Sequence, residues 1–197
     1  MEELVASIVD DAVRELREGL QWYWPSEGDN EMPEAHAVGA VGRAFGRNGF
    51  HVYHEVQCRT AGAVGHVDLV ALANDQATCI AVEGKRLYDG RKAEALLQDW
   101  KRLGILRLAS EHGFPAAQRH YRMLVMTTWQ PNIRDWWLGS DEVPTRRRHS
   151  SWPELRRELS GAVVRGLQIQ TDPDWGEQWL LFALGKRDRS FFATRSS

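Results

Sequence analysis

The sequence predicts an α/β fold: a mixed central β-sheet flanked by helices, with an N-terminal helix and a C-terminal α+β extension. Three observations carry this. Residues 33–128 read in order as helix, three strands, helix and strand, the pattern of a sheet covered by helices on its faces. Residues 2–20 place Val5, Val9, Ala12, Val13, Leu16 and Leu20 at helical spacing. The 197 residues are 43% hydrophobic and 26% charged, enough for one sizeable core. We therefore read 1–197 as a single domain in three parts: helix and linker over 1–32, core over 33–128, and a Trp/Arg-rich extension over 129–197.

The elements follow from local chemistry. The first helix ends near Gly19, closed by Trp22-Tyr23-Trp24-Pro25, and Ser26 to Asn30 is a polar linker. The second helix starts near Pro33, runs through Ala37, Val41, Ala44 and Phe45 to about Arg47, and stops at Asn48-Gly49. Strands are expected over 50–57, 65–72 and 77–85, with turns at Thr60 to Ala63 and at Asn74-Asp75. A long helix over 91–111 counts Leu96, Trp100, Leu103, Leu106 and Leu108 as its apolar content, and 121–127 is a strand. The extension reads as short helices over 133–138 and 152–159, then strands over 163–170 and 178–184 around an Asp-Pro-Asp turn. These strands either extend the sheet or form a small subdomain.

Composition removes several classes of function. No segment reaches the ~20 consecutive apolar residues of a membrane span, and the acidic start Met1-Glu2-Glu3 is unlike a signal peptide, so a cytoplasmic location is expected. Cys58 and Cys79 lie in strands without metal-type spacing and read as reduced core thiols. The net charge of −2 hides an asymmetry: residues 1–34 carry ten acids against two bases, residues 101–165 twelve bases against six acids. A nucleic-acid partner would favour the basic part; the plain alternative is a set of solvated Arg-rich helices.

The chemistry concentrates in two apolar runs, His66-Val67-Asp68-Leu69-Val70-Ala71-Leu72 and Thr78-Cys79-Ile80-Ala81-Val82-Glu83-Gly84-Lys85. Charges set in such strands are costly unless compensated. Alternation puts Glu83 and Lys85 on one face, roughly 6–7 Å apart, with Val82 on the other. Gly84 allows close approach to the backbone, and its carbonyl is a hard oxygen donor. Asp68 on a neighbouring strand meets Glu83 if the register is right. Two carboxylates and a carbonyl suit Mg²⁺ or Mn²⁺, which takes few protein oxygens and keeps room for water and phosphate. Lys85 would then orient or deprotonate a water, or neutralise transition-state charge; as a base it would need a depressed pKa.

Asp68, Glu83-Gly84-Lys85 and the surrounding element order resemble the PD-(D/E)xK nuclease superfamily. The resemblance implies a restriction-endonuclease-like core and Mg²⁺- or Mn²⁺-dependent cleavage of nucleic acid. It covers residues 33–128. Val67-Asp68 stands where the name's Pro-Asp would, and Glu83-Gly84-Lys85 matches fully. Glu34 looks like the superfamily's helical acid. The separations, 34 residues from Glu34 to Asp68 and 15 from Asp68 to Glu83, are similar to those of the archaeal Holliday-junction resolvases. Gln98 stands where some exonuclease-like branches carry Gln-x-x-x-Tyr, but Arg102 takes the place of the Tyr.

The remaining candidates are weaker. Glu55 is an alternative acid or a solvated strand residue. His51 and His54 should face opposite ways, His66 shares a face with Asp68, and no His/Cys spacing supports zinc. Gly39, Gly42 and Gly46 match no phosphate loop. Arg146, Arg147 and Arg148, flanked by Trp136-Trp137 and Trp152, are candidate nucleic-acid contacts, as are Lys101 and Arg102. The expectation is a metal-dependent nuclease acting on DNA. The alternative is a non-catalytic nucleic-acid-binding or protein-interaction module on the same fold. A homodimer would supply the two sites that cutting both strands of a duplex requires.

Overall fold

Seven strands form one mixed sheet in the order β4-β1-β2-β3-β5-β7-β6. The computed structural model describes residues 1–22, 32–60, 63–74, 77–108, 117–144, 151–172, 176–188 and 191. In chain order the elements are α1 (Glu2–Trp22), α2 (Glu34–Arg47), β1 (Phe50–Thr60), β2 (Ala63–Ala73), β3 (Thr78–Arg86), α3 (Gly90–Ile105), β4 (Arg107–Leu108), β5 (Arg119–Thr128), α4 (Pro131–Trp137), α5 (Ser151–Glu158), β6 (Val163–Asp172) and β7 (Gly176–Arg187). The linker Ser26 to Asn30, the closing residues 23–25, the turn tips 61–62 and 75–76, most of the Asp-Pro-Asp turn and Arg146 to Arg148 lie outside the described residues.

β1, β2 and β3 are antiparallel neighbours, β3 and β5 run parallel, and β7 and β6 continue antiparallel. The strands of the extension thus extend the central sheet. The parallel β3–β5 pair needs a crossover, which α3 provides. β3, at the centre, is buried from Thr78 through Gly84, as its unbroken apolar run requires.

Two apolar layers sandwich the sheet. On one side α1 and α2 bury Val5, Val9, Ala12, Val41 and Phe45 against Leu69, Ile80, Val82 and Phe182. On the other, α3, α4 and α5 bury Leu96, Trp100, Leu103, Trp136 and Trp152 against Val70, Ala81, Leu124 and Leu181. Trp136, Trp137 and Trp152, which flank the Arg cluster in sequence, are therefore core residues. Cys58 and Cys79 are both buried free thiols, and burial pushes the Cys79 thiol up to about 12.

α2 starts and stops where its sequence dictates. Pro33 is the N-cap, and the backbone N–H of Asn48 closes the last turn onto Ala44 before Gly49 turns away at φ 82°. α3 differs from expectation. It ends at Ile105 rather than near 111, and Leu106 is extended. Arg187 of β7 donates to the carbonyls of Gly104 (3.1 Å) and Leu106 (2.8 Å). Leu108 then pairs with Cys58, and its N–H donates to the Phe191 carbonyl at 2.9 Å. Leu106 and Leu108 keep to helical spacing, but these distant partners hold Leu106 extended and Leu108 in a strand.

The outermost long strand, β6, carries a register irregularity between Gln168 and Gln170. Three of its carbonyls accept side-chain donors: Gln168 and Ile169 from Arg17 (2.9 and 3.0 Å), and Arg165 from the Trp137 indole (3.1 Å).

Trp100 fixes α3 to the sheet. Its indole donates to the Glu158 carbonyl at 3.1 Å, and the Arg122 guanidinium lies 3.9 Å from the ring centroid. Gly185 of β7 lies under that ring, where an added Cβ would stand 2.7 Å from Cη2. Gly185→Ala is therefore expected to destabilise the fold by about 1–3 kcal/mol through overpacking, read as a lower urea midpoint. An unchanged midpoint would mean that Trp100 does not hold this position.

Candidate active site

The site is built where three strands stop obeying regular pairing. β1 and β2 match His54 with Leu69 and Val56 with Val67, and leave Glu55 and Asp68 between these rungs unpaired. Glu55 has φ 50°, the one positive φ at a non-glycine among the described residues. Both strands change face here. Leu69 and Ala71 pack under α1 and α2, whereas Val67 and Cys58 pack on the α3 side. The β2–β3 ladder runs from Leu72–Cys79 to Leu69–Val82 and goes no further. Asp68 and Glu83 are the next residue on each strand, at the mouth of the split.

Side chains take over where the ladder ends. Asp68 Oδ2 accepts the backbone N–H of Gly84 at 2.7 Å. Glu34, in the first turn of α2, accepts the backbone N–H of Arg86 at 3.0 Å. A residue with a side chain does not fit at Gly84, because its Cβ would lie 2.3 Å from Val38 Cγ2 and 3.4 Å from Asp68 Oδ2.

On the α3 side, Glu83 is 2% exposed and receives Arg102 Nη2. The same nitrogen lies 3.3 Å from Asp99 Oδ1, and Lys85 Nζ lies 3.5 Å from Asp99 Oδ2. The other Arg102 nitrogen donates to the His66 carbonyl at 2.9 Å and lies 3.8 Å from Cys58 Sγ. Glu83, Arg102, Asp99 and Lys85 thus form a chain of alternating charge.

The electrostatics separate the roles of Glu83 and Lys85. Burial, and then the like charge of Asp68, push the Glu83 carboxyl up to about 8 against the pull of Arg102. Burial works to lower Lys85, but the carboxylates of Asp99, Glu34, Asp68 and Glu83 together hold it above its ordinary value. Lys85 is therefore a firm cation. The depressed pKa that would make it a base is not met, and orienting a water or neutralising charge are the roles that remain to it.

A cavity of about 600 Å³ opens beside the split. Glu34, His54, Glu55, Asp68, Arg86 and Lys92 supply its polar wall. The adjacent residues His54 and Glu55 both reach this wall, because the positive φ at Glu55 breaks strand alternation. Glu83 and Lys85 are directed to the α3 side, behind that wall.

The expected residues fall into four groups. Glu34, Asp68, Glu83, Gly84 and Lys85 come together around the split. Gly84 contributes an N–H to Asp68, a role distinct from the carbonyl donation expected of it. Gln98 faces solvent, and its neighbour Asp99 turns to Lys85 and Arg102 instead. Lys101 pairs with Glu154 of α5 at 2.6 Å, and Arg102 turns inward to Glu83, so both are engaged within the protein. Arg146, Arg147 and Arg148 lie outside the described residues.

Sequence reasoning missed Asp99, Arg102 as partner of Glu83, and Lys92. Helical spacing held the clue to Asp99. It follows buried Leu96 by three residues and precedes buried Leu103 by four, whereas Gln98 is off that face.

No group of three or more His, Cys, Asp or Glu side chains among the described residues is arranged to hold a metal ion. The pair Asp68 and Glu83 offers hard oxygen donors only, which suits Mg²⁺ or Mn²⁺. Burial and then the Asp68 charge raise Glu83, and a divalent cation would offset both by favouring the ionised carboxylate. No protein-family model, curated protein or solved structure matches the chain.

Glu83 sets a pH dependence. A carboxyl raised from 4.5 to about 8 keeps its proton in the folded protein where the unfolded chain has lost it. Its contribution to stability is complete below the unfolded value and declines as pH rises through the folded one. Glu83→Gln should remove this decline, so the difference in urea midpoint between variant and wild type should shift in favour of the variant with rising pH. A difference independent of pH would show that Glu83 titrates normally.

Proposed function

We propose that this protein is a metal-dependent nuclease of the PD-(D/E)xK type, hydrolysing phosphodiester bonds of DNA on a restriction-endonuclease-like core. One observation carries the reading: Asp68 and Glu83 are the first residues past the end of the β2–β3 ladder, with the Lys85 cation beside them. The mixed sheet flanked by helices, with Glu34 of α2 bonded to the same end of β3, supports it.

Asp68 and Glu83 would hold Mg²⁺ or Mn²⁺, with the Gly84 carbonyl as a further oxygen. The bound ion would supply Lewis-acid polarisation of the scissile phosphate and a more acidic water. The chain's own groups do the rest. Lys85 places a fixed positive charge where the phosphate gains negative charge, and Asp99 holds its ammonium in position. Arg102 would compensate Glu83 once an ion draws off its proton, so that the carboxylate is held in a nearly dry position. Glu34 and Asp68 pin the end of β3 through its N–H groups, which fixes the strand that carries Glu83 and Lys85 behind the cavity wall. Arg86 and Lys92 bring positive charge to a wall that otherwise bears carboxylates, and so admit a phosphate.

Asp68→Ala, Glu83→Ala and Lys85→Ala should each lower the cleavage rate of plasmid and oligonucleotide DNA by roughly a hundredfold or more. Cleavage should stop with a chelator and return with Mn²⁺. Asp68→Ala should also weaken Mn²⁺ binding measured by titration, while Lys85→Ala should not. Full activity in all three folded variants would reject the reading, and tight DNA binding without cleavage under either ion would favour a binding module.

A further inference from the structure

We propose that Tyr88 and Trp129, with Lys92, form a nucleobase platform beside the cavity, so that the substrate strand is held unpaired and the preferred substrate is single-stranded DNA. The inference rests on the nuclease reading for its substrate, but its observations are separate.

The platform stands at the carboxyl ends of the two parallel strands. β3 and β5 stay in register to Arg86–Thr127, and the Leu87 N–H reaches the Thr127 carbonyl at 2.9 Å. Tyr88 and Trp129 follow directly, one from each chain segment. Their rings lie 5.7 Å apart between centroids and 32° from parallel. Both are half-buried, so neither is sealed in the core. Gln130 fixes the arrangement by donating to the Tyr88 carbonyl at 3.0 Å.

Lys92 joins this pair to the cavity. Its ammonium lies 5.4 Å from the Tyr88 ring centroid, and the same residue lines the cavity with Glu34, Asp68 and Arg86. Its backbone N–H is held by Asp89, the N-cap of α3, which fixes Lys92 in the first turn of that helix. Tyr88 lies three residues beyond Lys85, about 10 Å at the extended rise.

The chemistry selects the form of the substrate. An aromatic ring stacks on the face of a base, and in a duplex both faces are already covered by neighbouring bases. A strand whose phosphate lies at Asp68 and whose neighbouring base lies on the ring pair must be unstacked there. The cavity volume agrees, since about 600 Å³ is the size of a small-ligand site and accommodates one splayed nucleotide.

The test measures affinity in a Lys85→Ala background with Mn²⁺, using a labelled thymidine oligonucleotide, its duplex form, and a strand of equal charge whose bases are replaced by abasic sites. The single strand should bind more tightly than the duplex. Removing the bases, or substituting Trp129→Ala or Tyr88→Ala, should weaken single-strand binding by roughly 5- to 150-fold, the worth of one stacked base. Trp129→Phe should retain most of the affinity, and Lys92→Gln should reduce the salt slope by about one. Equal binding of abasic and normal strands, preference for the duplex, or unchanged affinity in both folded ring variants would overturn the platform. Wild-type cleavage assays separate the two readings. A chain that binds through its rings but never cuts loses only the nuclease assignment, whereas one that cuts with ring-independent affinity loses only the platform.

Discussion

The hydrogen bond from the Gly84 N–H to Asp68 does the work of a ladder rung after the β2–β3 ladder has ended. A central strand whose N–H groups lost their partners would bear the full cost of buried unsatisfied donors. The Asp68 carboxylate removes that cost at Gly84, and Glu34 does the same at Arg86. The acids of the site are thus also the groups that let the sheet open. The absence of a side chain at Gly84 is part of the same arrangement, since Val38 and the Asp68 carboxylate already occupy the space a Cβ would need.

The second constraint is charge. Two carboxylates at the split repel, and Glu83 carries the strain because burial weighs on it most, with the Asp68 charge next and Arg102 pulling the other way. α3 delivers Arg102 against Glu83 and Asp99 against Lys85, one turn apart on the helix face that also seats Trp100 and Leu103. The position of the site therefore depends on the packing of α3. Trp100 under Arg122, the Asp89 cap at one end and Arg187 on the last carbonyls at the other hold that helix to the sheet.

Local pattern made much of this legible in the sequence. The order of elements, the acid and lysine of β3, and Asp68 on its neighbour follow from apolar periodicity interrupted by charge. The losses have a common cause, contacts made across long sequence separations. Leu106 and Leu108 keep helical spacing, yet Leu106 is extended and Leu108 is strand because of Arg187, Phe191 and Cys58. β1 and β2 reach Thr60 and Ala63, beyond the expected 57 and 65, because each supplies the other's rungs. Strict alternation leaves Glu55 undecided; the shared break at Glu55 and Asp68 reverses the faces of both strands beyond it, and no two-residue period encodes that. Gln98 was favoured on resemblance, whereas helix geometry alone points to Asp99. The basic character of Lys101 and Arg102 was visible, but their acidic partners, Glu154 and Glu83, lie 53 and 19 residues away.

The side chains that cap β6 bear on how copies of this molecule meet. An outer strand of this length is ordinarily a template on which another chain can continue the sheet. Arg17 and the Trp137 indole already occupy carbonyls along it, and the irregularity at Gln168–Gln170 spoils its straightness. A neighbour's strand would have to displace both donors before gaining its own bonds. The fold thereby protects this border against runaway stacking, and assembly by annexing a foreign strand is disfavoured there.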